Sequence, residues 1–232
     1  MSLTQRATGR RRAGRLHVLP TLLALSCPAC AAATLEEVYE NARRHPIPAA
    51  ATAVGTGFFV APTTVLTSAH VLAGCESFGV ENQHLGWLPA QLERVIADRD
   101  AALLSVSAPS GDILPLAAEA ARGALTILGF PATAGGATDP VRARAEPVGM
   151  RDGPVLLLAG DVPAGFSGGP VLDGKGRVIA ILTGRMNGTR RQLVASPVIA
   201  LHDVLNLPQN SRLSEKAEAK DPSRGTVKIR CK

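Results

Sequence analysis

Aromatic residues are scarce in this chain of 232 residues: one Trp, one Tyr and five Phe make up 3%. The core must therefore be filled by Val, Leu, Ile and Ala, and a hydrophobic content of 46% is enough to build one. Long apolar runs are lacking as well. The run "LHVLPTLLALS" (Leu16–Ser26) is too short to serve as a stable bilayer anchor, so no lasting membrane span is expected. There is no internal repeat and no low-complexity tract. Acid is missing from residues 1–33, which carry Arg6, Arg10, Arg11, Arg12 and Arg15. The formal net charge of +6 is therefore local: beyond residue 33 stand 20 basic and 19 acidic residues, a balance of +1. Such a balance gives no electrostatic basis for nucleic-acid binding, and none is expected.

What those first residues do contain is ordered: arginines, then the short apolar run, then the small residues of "CPACAAAT". That order predicts a secretory signal over residues 1–33, with cleavage after Ala31 or Ala33, and a secreted or periplasmic mature protein. The triple arginine resembles a twin-arginine signal without its usual flanks. Lipidation of Cys27 is disfavoured because "ALSC" is a poor acceptor sequence. Of the four cysteines, Cys27 and Cys30 fall inside this leader, which argues against a redox or metal role for their C-x-x-C spacing. Cys75 and Cys231 remain, and export permits a disulfide between them. Two free thiols are the alternative, since Cys231 lies in a polar stretch.

Glycine (23) and proline (17) punctuate the rest at short intervals. After a helical segment at Thr34–His45, "ATAVGTGFFVAPTTVLTSAHVL" reads as two strands joined at "APTT". "SFGVEN", "WLPAQLERVIAD" and "AALLSVSAP" continue the series to Pro109. A second series holds "GALTILGFP", "DPVRARAEPVGMR", "GPVLLLAGD", "GPVLDGKGRVIAILTGR" and "RRQLVASPV". Its hairpin turns at Asp173–Gly176, and "IALHDVLNL" reads as a short terminal helix. Two groups of about six strands predict an all-β fold of two small antiparallel barrels, at about 50–110 and 123–200, joined through 111–122. The folded domain would occupy 34–207, with residues 208–232 a disordered polar tail.

The stretch "AGFSGGPVLD" (Ala164–Asp173) sets one serine among glycines. Such a turn can aim the N–H groups of Gly165 and Ser167 at one point and let a substrate approach closely; the alternative is a simple glycine turn before the strand at Val171. A nucleophilic serine needs a base, and the base needs an orienting acid. His17 lies in the leader, His45 after a helix, His84 in a polar loop and His202 in the terminal segment. His70 instead ends "VLTSAH" and opens a helical turn, where taken by itself it reads as a packed core residue and in company as the base. Asp100 directly precedes an apolar strand and can be carried inward, where a histidine N–H would partner it. Asp98 reads as a solvated turn residue.

"GTGFFVAPTTVLTSAHVL", "DRDAALLSV" and "GFSGGPVLD", in that order, resemble the trypsin-like serine proteases, and within them the bacterial HtrA-like and glutamyl-endopeptidase-like branch. The likeness covers about residues 50–205. It implies a chymotrypsin-like double β-barrel with the site in the cleft between the barrels. It also implies a triad of His70, Asp100 and Ser167, and an oxyanion hole from the Gly165 and Ser167 amides. The activity implied is peptide-bond hydrolysis through an acyl-enzyme on protein or peptide substrates, with no metal or organic cofactor.

Three departures from the family pattern stand out. Phe166 replaces the aspartate that in animal trypsins pairs with a new N-terminus, so that activation switch should be absent. Val71 follows His70 where those enzymes carry a cysteine, so their disulfide set is not expected. Regulation through a PDZ domain, carried by many HtrA proteins, is not expected. For specificity, Asp161 lies six residues before Ser167, where trypsin binds a basic side chain; its alternative is to cap the turn "DVPAG". Leu182, Thr183 and Gly184 form the other pocket wall by resemblance, and Arg190 and Arg191 read as a solvated hairpin. The alternative to an endopeptidase is an inactive binding protein on the same fold, for which Phe166 is the sole argument.

Overall fold

A computed structural model describes residues 55–120, 122–133, 138–151, 154–186, 191–205 and 221–231. The leader and the helical segment expected at Thr34–His45 lie outside them. Strands β1 (Gly55–Ala61), β2 (Thr64–Thr67), β3 (Phe78–Asn82), β4 (Gly86–Ile96) and β5 (Ala101–Val106) come first. They are followed by β6 (Leu125–Gly129), β7 (Val141–Arg151), β8 (Val155–Gly160), β9 (Pro170–Leu172), β10 (Val178–Arg185) and β11 (Gln192–Pro197). A helix, α1 (Val198–Leu205), precedes the last strand, β12 (Thr226–Cys231). Every pairing is antiparallel, and the strands close two barrels in the orders β1-β12-β3-β4-β5-β2 and β10-β11-β8-β7-β6-β9. The all-β architecture of two six-stranded antiparallel barrels is the one the sequence predicts, although the first barrel takes its sixth strand from beyond the expected 50–110. Among the described residues no helix is long and apolar enough to cross a membrane.

Three apolar clusters hold this arrangement, and the scarcity of aromatics shows in them. The first barrel is filled by Phe59, Val65, Val80, Leu104, Val227 and Ile229 among others. The second encloses Ile127, Leu158, Phe166, Val171 and Leu193. A third cluster lies between them, where Phe58, Leu66 and Leu103 of one barrel meet Leu128, Leu172 and Ile181 of the other, with Val198 and Leu201 of α1. The connection between barrels joins that cluster through Leu114 and Leu116. It is pinned by a parallel bridge from Leu116 to Val178. Each fully buried aliphatic or Phe side chain contributes roughly 1.5–3 kcal/mol of transfer free energy, so this shared cluster holds the two barrels against each other.

The C-terminal stretch departs from the expected disordered tail. Residues 226–231 form β12, which inserts between β1 and β3, with Gly55 opposite Ile229 and Val80 opposite the same residue. The cause is the alternation of "TVKIRC": Val227 and Ile229 enter the first-barrel core, while Lys228 sits on the other face with its ammonium 5.5 Å from the Phe130 ring centroid. Cys231 is bonded to Cys75, with 5.4 Å between the Cα atoms. The folded domain therefore extends past residue 207. Residues 206–220 lie outside those described.

Candidate active site

β2 ends at Thr67, and the chain then enters a short 3-10 turn, Ala69–Leu72, that carries His70. Asp100 follows a second such turn, Ala97–Arg99, and adopts φ 47° and ψ 48°. It is the single non-glycine residue at positive φ among those described; aspartate tolerates this region better than most side chains. The conformation turns the carboxylate beneath the histidine. The His70 backbone N–H donates to Asp100 Oδ1 at 2.9 Å, and His70 Nδ1 lies 2.6 Å from Oδ2. The Asp100 carbonyl also accepts the Ala69 N–H at 3.2 Å. A carboxylate only accepts, so Nδ1 carries a proton, and in the neutral ring that tautomer leaves the lone pair on Nε2. Asp100 is 2% exposed. Asp98 points outward, with a side chain 73% exposed, as expected of a turn residue.

Ser167 lies on the loop between β8 and β9, at the edge of the second barrel. The Thr56 N–H of the first barrel donates to the Ser167 carbonyl at 2.8 Å. At Gly168, φ is +83° and a Cβ would collide with the Thr56 carbonyl and the Thr67 hydroxyl, so only glycine brings the loop this close to the residues before His70. Two further hydroxyls join the barrels around the same place. The Ser68 hydroxyl donates to the Leu182 carbonyl at 3.1 Å, and that of Ser196 to the Arg99 carbonyl at 2.6 Å. The histidine turn, the aspartate turn and the serine loop are thus each tied across the cleft.

The loop's backbone is oriented from behind. The Ala164 carbonyl accepts the Ala132 N–H at 2.8 Å, and the Phe166 carbonyl accepts the Gly169 N–H at 2.9 Å. In a trans peptide the N–H points opposite to the carbonyl, so the Gly165 and Ser167 amides face away from those partners. Gly165 is at φ +96°. Phe166 is completely buried in the second-barrel core. Its ring anchors the loop by apolar contact.

The expected pocket residues separate. Asp161 follows β8, and its carboxylate lies 2.8 Å from the Arg185 guanidinium of β10. That guanidinium also donates to the Val162 carbonyl. Leu182 turns its side chain into the second-barrel core, while its backbone bonds Gly168 and Gly169. Thr183 and Gly184 are half-buried at a bulge in β10, and the Thr183 hydroxyl donates to the Val194 carbonyl at 3.0 Å. Arg190 lies outside the described residues, and Arg191 is exposed. Sequence reasoning passed over Thr56, Ser68, Ser196 and Arg185. The signal for the three hydroxyls was present: small polar residues inside apolar strands need partners.

This architecture is that of known enzymes. Residues 55–181 match the family model of the trypsin-like peptidase domain. The serine protease Rv3671c of Mycobacterium tuberculosis is 35% identical over 147 residues, which is 56% of this chain and 36% of that protein. The chain thus spans little more than a third of that relative's length. The crystal structure of the active form of the Rv3671c protease aligns with a TM-score of 0.55 and 26% identity, covering 72% of this chain and 78% of that one. A serine endoprotease from Yersinia pestis shares the fold, with a TM-score of 0.60 at 19% identity and coverage of 72% and 65%. With more than half of its length matched by the family model, and with the barrels and cleft laid out as above, the chain belongs to the trypsin-like peptidases.

Proposed function

We propose that this chain is an exported serine endopeptidase acting through a triad of Ser167, His70 and Asp100. The observation that carries the reading is the 2.6 Å approach of His70 Nδ1 to the buried Asp100 carboxylate, in turns tied to the Ser167 loop. As Ser167 Oγ attacks the substrate carbonyl carbon, His70 Nε2 takes the hydroxyl proton. The Gly165 and Ser167 amides receive the tetrahedral oxyanion, and Asp100 stabilises the imidazolium. His70 then gives its proton to the leaving amine as the C–N bond breaks, leaving an ester on Ser167. Water, deprotonated by His70, hydrolyses that ester, and the proton returns to Ser167. A fluorophosphonate probe should label the parent and neither Ser167→Ala nor His70→Ala. A well-folded parent that resists labelling overturns the reading and favours the binding-protein alternative.

Export is supported by the leader composition and by the Cys75–Cys231 disulfide, a bond of oxidising compartments. N-terminal sequencing of protein from the cell exterior should begin at Ala32 or Thr34; an intact Met1 in the cytosol sinks this part. On specificity, Asp161 is already matched by Arg185, so a basic P1 side chain would have to displace a cation in place. Peptide-library cleavage should therefore show no dominant Arg or Lys preference. Asp161→Ala should leave the P1 profile unchanged within about threefold, since an exposed pair of this kind is worth only ~0.2–1 kcal/mol.

A further inference from the structure

We propose that Thr56 is the positioning residue of the oxyanion hole: its hydroxyl and amide fix the Gly165–Phe166 and Ser167–Gly168 peptides, which flank the peptide carrying the Ser167 N–H. The proposal rests on the reading of Ser167 as nucleophile and adds to it a residue that no motif singled out. Thr56 is fully buried in β1. Its hydroxyl donates to the Gly165 carbonyl at 2.8 Å and accepts the Phe130 N–H at 3.0 Å. Its amide donates to the Ser167 carbonyl at 2.8 Å. Its own carbonyl accepts the Thr67 hydroxyl at 2.7 Å. Every hydrogen-bonding group of this one residue is thereby engaged, and three of its partners lie in the second barrel.

The consequence for the loop is specific. Four consecutive carbonyls, from Ala164 to Ser167, are held by Ala132 N–H, Thr56 hydroxyl, Gly169 N–H and Thr56 N–H in turn. The hydroxyl matters most at Gly165, which has no side chain to restrict it and sits at φ +96°. With the carbonyls before and after its Cα both anchored, that glycine has no freedom left to turn its N–H out of the cleft. Removing the hydroxyl frees the Gly165–Phe166 peptide and leaves the Gly165 carbonyl and the Phe130 N–H without the group that bridges them. Phe166 cannot supply the restraint, because its ring offers no polar group to the backbone. Where trypsins hold this loop with a charge on the neighbouring side chain, this chain uses a neutral hydroxyl reaching across from the other barrel.

The test compares Thr56→Val, which keeps the shape and loses the hydroxyl, with Thr56→Ser, which keeps the hydroxyl. At a temperature where all three proteins are folded by circular dichroism, Thr56→Val should lower kcat by about 10- to 100-fold with KM within about twofold. That is less than the 10²–10³ of deleting an oxyanion donor outright. Affinity for a peptide boronate, whose adduct places an oxygen in the hole, should fall by a similar factor, while a non-covalent product peptide binds as before. Thr56→Ser should restore kcat to within about threefold of the parent. Backbone hydrogen exchange over Ala164–Gly169 reads the same loop without turnover: it should quicken in Thr56→Val and not in Thr56→Ser. Thr56→Val kinetics and exchange equal to those of Thr56→Ser overturn the proposal. A parent that turns nothing over overturns the protease reading instead, and the exchange comparison still decides the role of Thr56.

Discussion

Phe166 carries two duties that are usually divided: it fills the second barrel and it holds the loop beside Ser167. Its ring is completely buried among Ile127, Leu158 and Val171. Phe166→Ala should therefore cost about 3–5 kcal/mol of stability, the range for a buried Phe reduced to a methyl. It should also slow labelling at Ser167 in the fraction that stays folded. Urea denaturation with parallel probe kinetics would check both; a loss under about 1 kcal/mol would mean that the site collapses around the smaller side chain. Lys228 is the opposite case, a cation 2% exposed in β12. Burial pushes its ammonium below the ordinary lysine value, against a partial restoring pull from Glu81. Between the lowered folded value and the ordinary one the unfolded chain binds more protons, so stability rises with pH there. The difference in urea midpoint between Lys228→Met and the parent should accordingly shift towards the parent from pH 7 to pH 10. A constant difference would show that this lysine keeps its solution value in the fold. At this scale the pairing of His70 with Asp100 was legible, because an acid carried inward before an apolar strand needs a partner such as a histidine N–H. Thr56 was not legible as a partner of Gly165: the two are 109 positions apart, and no local pattern records such a contact. Arg185 was overlooked for the same reason, since its match to Asp161 exists only once β8 and β10 lie in one barrel.

Among the elements, β12 is the one whose placement composition concealed. Lysine, arginine and a preceding charged stretch suggest a solvated tail, whereas the alternation of Val227 and Ile229 suggests a strand. Burial of the alternating pair decided the outcome. Strands β1 to β11, by contrast, were legible within a few residues, since glycine, proline and aspartate punctuate the chain between short apolar runs. The strand is secured by the Cys75–Cys231 bond, which spans 156 positions and joins β12 to the segment just after the His70 turn. Replacing both cysteines by serine should destabilise the protein by about 2–5 kcal/mol. The loss should concentrate in the first barrel, read as faster exchange of β12 and β1 amides than of β8 and β11. Uniform acceleration across both barrels would show that the bond stabilises the molecule as a whole instead.

For the molecule as a whole, the apolar cluster shared by the barrels and the hydroxyl bonds of Thr56, Ser68 and Ser196 make the cleft a product of docking. His70 and Asp100 belong to the first barrel and Ser167 to a loop of the second. Unfolding should therefore be one cooperative event: fluorescence of Trp87 in the first barrel and labelling at Ser167 in the second should vanish at the same urea concentration. Separated midpoints would mean that the barrels are independent units. The placement of β12 has a bearing on the order in which this enzyme can come into being. A nascent chain halted just short of Thr226 already contains His70, Asp100 and Ser167, yet its first barrel lacks a wall, and β1 and β3 expose unpaired edges. The contacts that close it bridge some of the longest separations in the chain, the slow class of contact to form. Synthesis thus delivers His70, Asp100 and Ser167 early and the strand that closes the first barrel late, so the proposed peptidase activity should be absent from ribosome-bound chains.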